Sequence, residues 1–335
     1  MRESEIRPKD IFDEYLRLAE QDVKDFFSGC GYSDIDCPAC GEKGRAAFDK
    51  KGFKYRICGS CKTLFVSPRP EKAAFNRYYK DAPSTRFWAE CFYKKTEDAR
   101  REKVYIPRVR AVSEKMAMYA PGAGWLVDIG AGYGTFIEEF TRTAKLGFKI
   151  IAVEPSDSLS EICSGKGLTV VKKFMEKLEK ADLTAELGTP GVFTSFELLE
   201  HVRDPLEFLS SCAGKMSPDD ILIFTTLSGT GFDIQLLWEN SKSVFPPHHL
   251  NFFNPCSIGM LLGRCGLEVL EVTTPGKLDV DIVMSNIRDL DDRFFRTFLE
   301  SSSEEEREKL QAFLRDNKLS SHMMVVARKK KEKGT

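Results

Sequence analysis

The sequence predicts an α/β fold, in which helices cover both faces of a mostly parallel sheet and a small β-rich module precedes that sheet. From Gly124 onward, short runs of β-branched and apolar residues alternate with helical stretches, which is typical of such a sheet. One of these runs leads directly into a glycine-rich turn. Before Gly124, two Cys-x-x-Cys pairs lie in a segment rich in glycine, cysteine and proline, which predicts a compact module.

Seven segments from residue 125 onward are expected to be strands. They are Trp125–Ile129, Lys149–Val153, Leu168–Val171, Val192–Phe196, Ile221–Thr225, Leu267–Val272 and Met323–Ala327. Helices are expected between them, near residues 133–144, 157–165, 205–216 and 254–265. A helical insertion at residues 279–318 precedes the last strand, because serines followed by glutamates at 301–306 are a signal for a helix N-terminus.

The 335 residues suffice for one large domain and one small one. We expect four segments: an N-terminal helix at 1–29, a cysteine-containing ribbon at 30–70, a helical linker or lid at 71–120, and the main domain at 121–335. Apolar residues at helical spacing over 9–27 predict the first helix, and residues 71–119 are helical in character and rich in aromatic side chains.

The composition is that of a soluble globular protein, with 42% hydrophobic and 30% charged residues. The chain has no run of about 18 uncharged apolar residues, so no membrane span is expected. The N-terminus lacks the apolar segment of a secretory signal. We therefore expect a cytoplasmic protein, whose ten cysteines are free thiols or metal ligands rather than disulfides.

Four cysteines have the spacing of a structural zinc site. Cys37 and Cys40 form one Cys-x-x-Cys turn, and Cys58 and Cys61 form a second one after 17 intervening residues. Two such turns at this distance can place four thiolates around one tetrahedral Zn²⁺. Four sulfur ligands leave no open position on the metal, so the predicted role is structural. A redox Cys-x-x-Cys pair would not explain the presence of two pairs.

A nucleoside-binding turn is predicted where the first strand of the main domain ends. Asp128 closes the strand, and the turn that follows contains Gly130, Gly132 and Gly134, which let the backbone approach a ligand closely. The second strand ends at Glu154, where an acid can accept hydrogen bonds from both ribose hydroxyls of an adenosine.

The electrostatics of this turn favour S-adenosylmethionine over a dinucleotide. The dinucleotide fingerprint is Gly-x-Gly-x-x-Gly/Ala, but Thr135 occupies its third small-residue position here. The carboxylate of Asp128 would repel a pyrophosphate, whereas it would attract the ammonium group of a methionine moiety. We therefore expect S-adenosylmethionine as the cofactor.

These residues resemble the class I S-adenosylmethionine-dependent methyltransferases, especially the small-molecule group that includes the ubiquinone-biosynthesis enzymes. The sequence Glu-Leu-Leu-Glu-His-Val-Arg-Asp-Pro at 197–205 is similar to the segment that follows the family's fourth strand, and residues 221–226 and 322–328 resemble its fifth and last strands. The resemblance covers about residues 100–330. It implies a Rossmann-like, seven-stranded methyltransferase sheet with strand order 3-2-1-4-5-7-6 and an antiparallel last strand.

The same resemblance assigns the cofactor-binding residues. Gly130, Ala131, Gly132 and Gly134 are expected to line the methionine and the ribose. Glu154 is expected to hold the ribose, and Pro155 to border the adenine. Phe196 and Glu197 are expected to close the sulfonium end, although a strand-end aromatic such as Phe196 is equally typical of plain core packing.

Histidines supply the candidate acid–base groups. His248 and His249 follow the fifth strand, lie among aromatics and prolines, and are expected at the cofactor end of the sheet. His201 is a third candidate, either for catalysis or for shaping the cofactor pocket, whereas His322 beside the last strand is expected to be structural. Alternatively, His248 and His249 are only loop structure before Asn254.

The histidine segment also resembles the Tyr-His-Glu-His-Leu motif of deoxysugar C-methyltransferases, a likeness that makes His249 the proton acceptor. Pro246, Pro247 and His248 stand where that motif has Tyr, His and Glu. The sequence therefore favours O-methylation of a small molecule, such as a sugar, a glycan precursor or a related metabolite, over C-methylation.

Two other functions remain open at the level of sequence. Residues 43–80 contain eleven Lys and Arg but only two acidic residues, so the ribbon is a candidate RNA-binding surface of an RNA methyltransferase. An anionic small substrate, such as a nucleotide-linked sugar, or a solvated basic face would also explain that charge. A scaffold that has kept the cofactor fold without catalysis is the third alternative, and the intact Asp128, glycine turn and Glu154 argue against it.

Overall fold

The computed structural model describes residues 1–144, 147–183 and 190–330, so the last five residues of the predicted main domain lie outside the described part. The N-terminal segment is helical, with α1 (Glu3–Ile6) and α2 (Lys9–Phe27), as the apolar pattern over 9–27 predicts. Helix α2 buries one face, including Phe12 and Tyr15, against the lid, because its apolar residues recur at helical spacing.

Short antiparallel strands form the ribbon. They are β1 (Tyr32–Ser33), β2 (Gly44–Lys50), β3 (Phe53–Cys58), β4 (Leu64–Val66) and β5 (Arg69–Pro70). Strands β2 and β3 form a hairpin, and Gly52 in its turn has φ +83°, a left-handed conformation that glycine adopts without strain. Strand β4 then pairs with β3 on its other edge.

The lid (residues 71–120) is helical throughout most of its length. Its helices are α3 (Lys72–Asp81), α4 (Pro83–Phe87), α5 (Lys94–Arg100) and α6 (Ile106–Tyr119). Two π-helical turns, Trp88–Tyr93 and Arg101–Tyr105, join the last three. Pro107 is accommodated in this helical stretch because it lies in the first turn of α6, where a missing N–H costs little.

The main domain follows in alternating strands and helices. In chain order these are β6 (Trp125–Ile129), α7 (Thr135–Thr141), β7 (Lys149–Val153), α8 (Asp157–Gly165), β8 (Val170–Val171), β9 (Gly191–Phe196), α9 (Pro205–Lys215), β10 (Ile221–Leu227), α10 (Phe232–Leu237), β11 (Asn251–Phe252), α11 (Ser257–Arg264), β12 (Leu267–Thr273), α12 (Asp279–Ser285), α13 (Arg293–Ser301), α14 (Glu304–Asp316) and β13 (His322–Lys329). The predicted insertion at 279–318 therefore consists mainly of helices α12 to α14.

The seven-stranded sheet confirms the predicted topology. Its order is β8-β7-β6-β9-β10-β13-β12, and β13 runs antiparallel to both of its neighbours. Numbered within the sheet, this is the order 3-2-1-4-5-7-6. The third strand is shorter than Leu168–Val171, because only Val170 and Val171 pair with β7 at this edge of the sheet.

Side chains from the central strands fill a core on each face of the sheet. Trp125 and Val127 of β6 point to one face and Leu126 to the other, as the two-residue period of a strand requires. Gly191 lies opposite Trp125, where a Cβ atom would come within 1.9 Å of the indole. Among the residues that the structure describes, no helix combines the length and apolar character needed to cross a bilayer.

The ribbon and the main domain share a sheet. Strand β11 of the main domain pairs antiparallel with β4, which gives a four-stranded sheet in the order β11-β4-β3-β2. The cysteine turns also pack into the same hydrophobic core as the main sheet. The predicted boundary at residue 70 therefore divides the sequence but does not separate two folded units. The ribbon is continuous, through the β4–β11 pairing, with the segment that contains His248 and His249.

Candidate functional site

The turn after β6 forms a glycine-lined cradle. Gly130, Gly132 and Gly134 have φ values of +74°, +56° and +70°, which other residues rarely adopt. A Cβ atom on Gly130 would lie 2.9 Å from Leu198, and one on Gly134 would lie 2.4 Å from Leu168. A Cβ atom on Gly132 would meet nothing within 4 Å. Gly130 and Gly134 are thus required by packing, whereas Gly132 borders open space that a ligand can occupy.

Glu154 holds this turn in place from the end of β7. Its two carboxylate oxygens accept hydrogen bonds from the backbone N–H of Gly132 at 2.8 Å and of Ser156 at 2.9 Å. The side chain is buried, which raises its pKa, while the two hydrogen bonds lower it. Each carboxylate oxygen has a second lone pair, so Glu154 can still accept hydrogen bonds from a ribose. Pro155 follows it in the chain and is half-buried.

Asp128 is buried at the end of β6 and faces Thr194 of β9. The Thr194 hydroxyl donates a 2.8 Å hydrogen bond to its Oδ1. Burial raises the pKa of Asp128 to about 7, although Thr194 and the positive charge of Arg108 oppose that rise. A cationic group bound beside Asp128 would favour its ionised form. Ala131, next to Gly130, donates its backbone N–H to Val153 across the same edge at 3.2 Å.

Arg108 is a charged residue of the site that the sequence analysis did not identify. It comes from helix α6 of the lid, its side chain is 10% exposed, and its guanidinium lies 4.5 Å from the ring centroid of Phe196. One of its nitrogens lies 3.7 Å from Oε1 of Glu197. The lid therefore adds a cation to the edge of the sheet where Asp128 and Glu197 add carboxylates.

Glu197 is held in an unusual conformation at the end of β9. Its φ is +51°, and its backbone N–H donates to the carbonyl of Thr225 at 3.1 Å. Its Oε1 accepts from the Thr225 hydroxyl at 2.6 Å and from Nε2 of His322 at 3.0 Å. Burial would raise its pKa, but His322, Arg108 and the Thr225 hydroxyl together hold the pKa well below its usual range. Glu197 is thus a fixed anion at the cofactor edge.

Two of the predicted histidines form a cluster with Glu200, which we call the histidine cluster (Glu200, His201 and His249). One ligating atom from each lies within 4.8 Å of the others. Nδ1 of His249 donates to the carbonyl of Ser243 at 2.5 Å, which leaves its Nε2 as an acceptor. The Glu200 carboxylate accepts from the Thr226 hydroxyl at 2.7 Å. The geometry can bind a hydroxyl, a proton or a metal cation.

Burial sets the protonation of this cluster. It lowers the pKa of His201 to about 4 and of His249 to about 3, so both rings are neutral near pH 7. Burial and the nearby charge of Glu197 raise the pKa of Glu200 to about 8. At neutral pH the cluster therefore keeps a carboxylic acid beside two imidazoles that have free lone pairs.

His248 packs in an aromatic layer beside the cluster, with its ring centroid 6.1 Å from that of His201. Its Nε2 and the Tyr78 hydroxyl are 2.6 Å apart, and its ring centroid lies 5.4 Å from that of Tyr15. The side chain is buried, and this burial lowers its pKa well below the usual value. Its surroundings are those of a residue that fixes the loop against helices α2 and α3.

Comparison with known proteins identifies the chain. Residues 98–272, more than half of the sequence, match the family described as "Methyltransferase domain". The chain belongs to this family. The methyltransferase is accordingly an S-adenosylmethionine-dependent enzyme, with the α/β sheet that the sequence predicts.

Among curated proteins, the methyltransferase is similar to the ubiquinone biosynthesis O-methyltransferase of Xanthomonas axonopodis pv. citri (strain 306), with 26% identity over 47% of this chain and 68% of that protein. The enzyme of the same name from Rhodopseudomonas palustris (strain BisA53) is 32% identical over 31% of this chain and 40% of its own length.

Among solved structures, the methyltransferase resembles a SAM-dependent methyltransferase from Archaeoglobus fulgidus, with a TM-score of 0.46, 19% identity, and coverage of 72% of this chain and all of that one. An S-adenosylmethionine-dependent methyltransferase from Clostridium acetobutylicum ATCC 824 aligns with a TM-score of 0.47 and 11% identity, over 72% of this chain and 100% of the other.

The lid of the methyltransferase lies directly against the glycine turn. The rings of Tyr93 and Tyr133 stack with centroids 3.6 Å apart, and Tyr133 is itself part of the turn. The hydroxyl of Tyr93 is hydrogen-bonded to that of Thr135. Arg101 forms an ion pair with Glu138 of α7 at 3.3 Å. These contacts place residues of the predicted lid beside the residues expected to hold the cofactor.

The four cysteines of the ribbon converge as their spacing predicts. The Sγ atoms of Cys37 and Cys61 lie 3.5 Å apart, as do those of Cys40 and Cys58, and all four lie within 4.8 Å of one another. A tetrahedral site with Zn–S bonds of about 2.3 Å has S···S edges of about 3.8 Å. The four thiols therefore fit a Zn²⁺ ion with little movement.

The two cysteine turns have the same hydrogen bond but differ in which residue is left-handed. Gly41 donates to the carbonyl of Cys37 at 2.8 Å, and Lys62 donates to that of Cys58 at 3.1 Å. Gly41 has φ +84°, but in the second turn the left-handed residue is Lys62, with φ +62°, and not Gly59. The N–H of Cys61 donates a hydrogen bond to Sγ of Cys58. Burial would raise the pKa of Cys58, but this and other hydrogen bonds to its sulfur lower the pKa to about 7.

The ribbon holds the loop that contains His249. The Tyr55 hydroxyl donates to the carbonyl of His249 at 2.8 Å, and the N–H of Val66 donates to the carbonyl of Leu250 at 3.0 Å. The Asn254 side chain donates to the carbonyl of Cys61 at 2.8 Å. Hydrogen bonds thus connect the ribbon that contains the cysteine site to the loop that contains His249. No sequence motif indicated this connection.

Several basic residues of the stretch at 43–80 make contacts within the protein. Arg69 is buried and hydrogen-bonded to the Asn251 side chain. Lys51 pairs with Glu20 at 2.7 Å, and Lys50 donates to a backbone carbonyl. Other basic residues of the stretch are exposed, among them Lys43, Arg45 and Lys54.

Proposed function

We propose that this methyltransferase transfers a methyl group to a hydroxyl oxygen of a small molecule, such as a sugar, a glycan precursor or a related metabolite. The observation that carries the proposal is the histidine cluster, because neutral imidazoles with free lone pairs suit an acceptor hydroxyl. The similarity to proteins named ubiquinone biosynthesis O-methyltransferase supports oxygen as the accepting atom.

We assign the binding of S-adenosylmethionine to the glycine-lined cradle and the residues around it. In the proposal, Gly130, Ala131, Gly132 and Gly134 line the methionine and ribose, Glu154 binds the ribose hydroxyls, and Pro155 borders the adenine. Asp128 pairs with the ammonium group, and Phe196 and Glu197 lie at the sulfonium end. When bound, the cofactor supplies the electrophilic methyl group. Arg108 is added here, because its cationic charge suits the methionine carboxylate.

On the substrate side, His201 and His249 are proposed to bind the acceptor hydroxyl, with Glu200 as a hydrogen-bond donor beside them. His248 is proposed to act behind them, through its contact with Tyr78. Cys37, Cys40, Cys58 and Cys61 are proposed to bind one structural Zn²⁺, which their convergence supports. Zinc would then stabilise the loop of His249 through the contacts of the ribbon.

A methyl-transfer screen tests the function. The purified protein is incubated with methyl-labelled S-adenosylmethionine and, separately, with UDP-glucose, 3,4-dihydroxybenzoate and a short RNA, and the label is followed into each acceptor. We expect label in a hydroxyl-bearing small molecule. Transfer to RNA at low salt that falls steeply as salt rises would instead favour the RNA methyltransferase, because phosphate contacts are salt-sensitive. Failure to bind S-adenosylmethionine would favour a non-catalytic scaffold.

Replacing Arg108 by alanine is expected to weaken S-adenosylmethionine binding by about tenfold to 100-fold, because a charge-assisted hydrogen bond contributes about 1.5–3 kcal/mol. Arg110→Ala is the matched control, because Arg110 lies on the same helix but is exposed. Calorimetric titration measures both variants. Equal affinities of the two variants would contradict the role of Arg108.

A further inference from the structure

The antiparallel direction of β13 brings a fourth histidine to the cofactor edge of the sheet. Parallel strands place their carboxyl ends at that edge, where Glu197 follows β9 and Leu227 ends β10. An antiparallel neighbour must begin where they end, and His322, the first residue of β13, pairs with Leu227. His322 therefore lies at the site and not at the far end of the sheet.

His322 and Glu197 have the geometry of an acid–base dyad. Nε2 of His322 lies 3.0 Å from Oε1 of Glu197, and the same oxygen accepts the Thr225 hydroxyl at 2.6 Å. Within the described part of the chain, Nδ1 of His322 has no hydrogen-bond partner, and the side chain is 31% exposed. A carboxylate on one ring nitrogen fixes the tautomer, so that the other nitrogen is free to accept a proton.

Two of the other histidines, His248 and His249, have less freedom to accept and release a proton. Nδ1 of His249 is bonded to the Ser243 carbonyl, and Nε2 of His248 is bonded to Tyr78. In the described part of the chain, neither ring makes a hydrogen bond to a carboxylate, as His322 does to Glu197. The strained backbone of Glu197, with φ +51°, is a further sign of a functional position, because such conformations cluster at active sites.

We propose that His322, oriented by Glu197, is the general base of methyl transfer. The inference rests on the proposed function. As the acceptor oxygen attacks the methyl carbon, the C–O bond forms and the C–S bond breaks. The hydroxyl proton passes to Nδ1 of His322. The positive charge of the sulfonium is thereby replaced by that of an imidazolium beside the Glu197 carboxylate. The histidine cluster then binds and orients the acceptor.

Titratable groups on three elements face this dyad. Arg108 approaches Glu197 from the lid, and Glu200 and His201 face it from the segment after β9. His249 faces it from the loop before β11. Arg108 from the lid and His322 from β13 therefore share the same carboxylate oxygen of Glu197.

The first test uses no acceptor. The protein is treated with diethyl pyrocarbonate at pH 7, and modified histidines are located by peptide mass spectrometry. We expect His322 to react at least tenfold faster than the three other histidines, and S-adenosylhomocysteine to slow that reaction. Reaction of His322 at the rate of the other three histidines, or no protection by S-adenosylhomocysteine, would overturn the proposal, whether or not an acceptor has been found.

The second test uses the acceptor methylated in the screen. His322→Ala is expected to lower kcat by about 100-fold or more, as loss of a general base does, with little change in the affinity for S-adenosylmethionine. Added imidazole should restore part of kcat, and the rescued rate should rise with pH. Lys318→Ala, exposed near the start of β13, is the control. An unchanged kcat in His322→Ala would refute the role of His322 as the general base. A wild-type protein that does not bind S-adenosylmethionine would refute the proposed function itself.

Discussion

Glu154→Ala is expected to weaken S-adenosylmethionine binding by at least about 100-fold. The substitution removes the carboxylate proposed to accept both ribose hydroxyls, and hydrogen bonds to charged groups contribute about 1.5–3 kcal/mol each. It also leaves the N–H groups of Gly132 and Ser156 without their acceptor, so the cradle loses its fixed shape. Isothermal titration of the variant against S-adenosylmethionine measures the effect.

Two variants control this experiment. Glu161→Ala removes an exposed carboxylate from helix α8, directly after the site, and should bind the cofactor as the wild type does. Glu154→Gln keeps the shape and one acceptor oxygen, so its affinity should fall between those of the wild type and Glu154→Ala. Circular dichroism separates lost binding from lost folding. If a folded Glu154→Ala variant binds as tightly as Glu161→Ala, the assignment of the ribose site is wrong.

Loss of two cysteines is expected to have the largest effect on stability. Cys37→Ser with Cys58→Ser should release about one zinc per chain, as four-thiolate coordination requires. Zinc binding contributes about 10–16 kcal/mol to folding in isolated zinc-finger peptides. If zinc contributes about a third of that free energy in this protein, its loss would lower the melting temperature by about 10 °C. Because the ribbon shares a sheet with β11 and holds the His249 loop, methyl transfer should be lost as well.

Elemental analysis and thermal unfolding in the presence of a reducing agent measure these effects. Cys91→Ser with Cys256→Ser is the matched control, because both residues are exposed and lie outside the cluster. The control should keep its zinc and its melting temperature. Wild-type protein that contains no zinc after purification in zinc-supplemented medium would refute the metal site.

Local signals were sufficient for the fold and for the glycine-lined cradle, to which we assign the cofactor. The alternation of strands and helices, the glycine turn and the acid at the end of β7 are contiguous in sequence, so each could be interpreted without knowledge of the rest. The strand order followed from the family resemblance. Arg108 and His322, the two residues that we add to the proposed site, belong to no motif, and they reach Glu197 from elements distant in sequence.

The predicted histidines show the same limit. His201 and His249 do lie together, but the sequence could not show that His248, adjacent to His249, points instead at Tyr78. Successive residues in a loop point in directions that only the packing around them determines. Similarly, the charge of the basic stretch was visible, but the burial of Arg69 against Asn251 was not.

The sequence by itself determined the order of elements, the glycine turn with Asp128 and Glu154, and the spacing of the four cysteines, because period, turn chemistry and ligand spacing are short-range properties. Only the tertiary structure decided that β4 pairs with β11, that the lid brings Arg108 to Phe196, and that β13 begins beside Glu197. These contacts join residues far apart in the chain, and they depend on how buried surfaces and strand directions fit together, which no local pattern specifies.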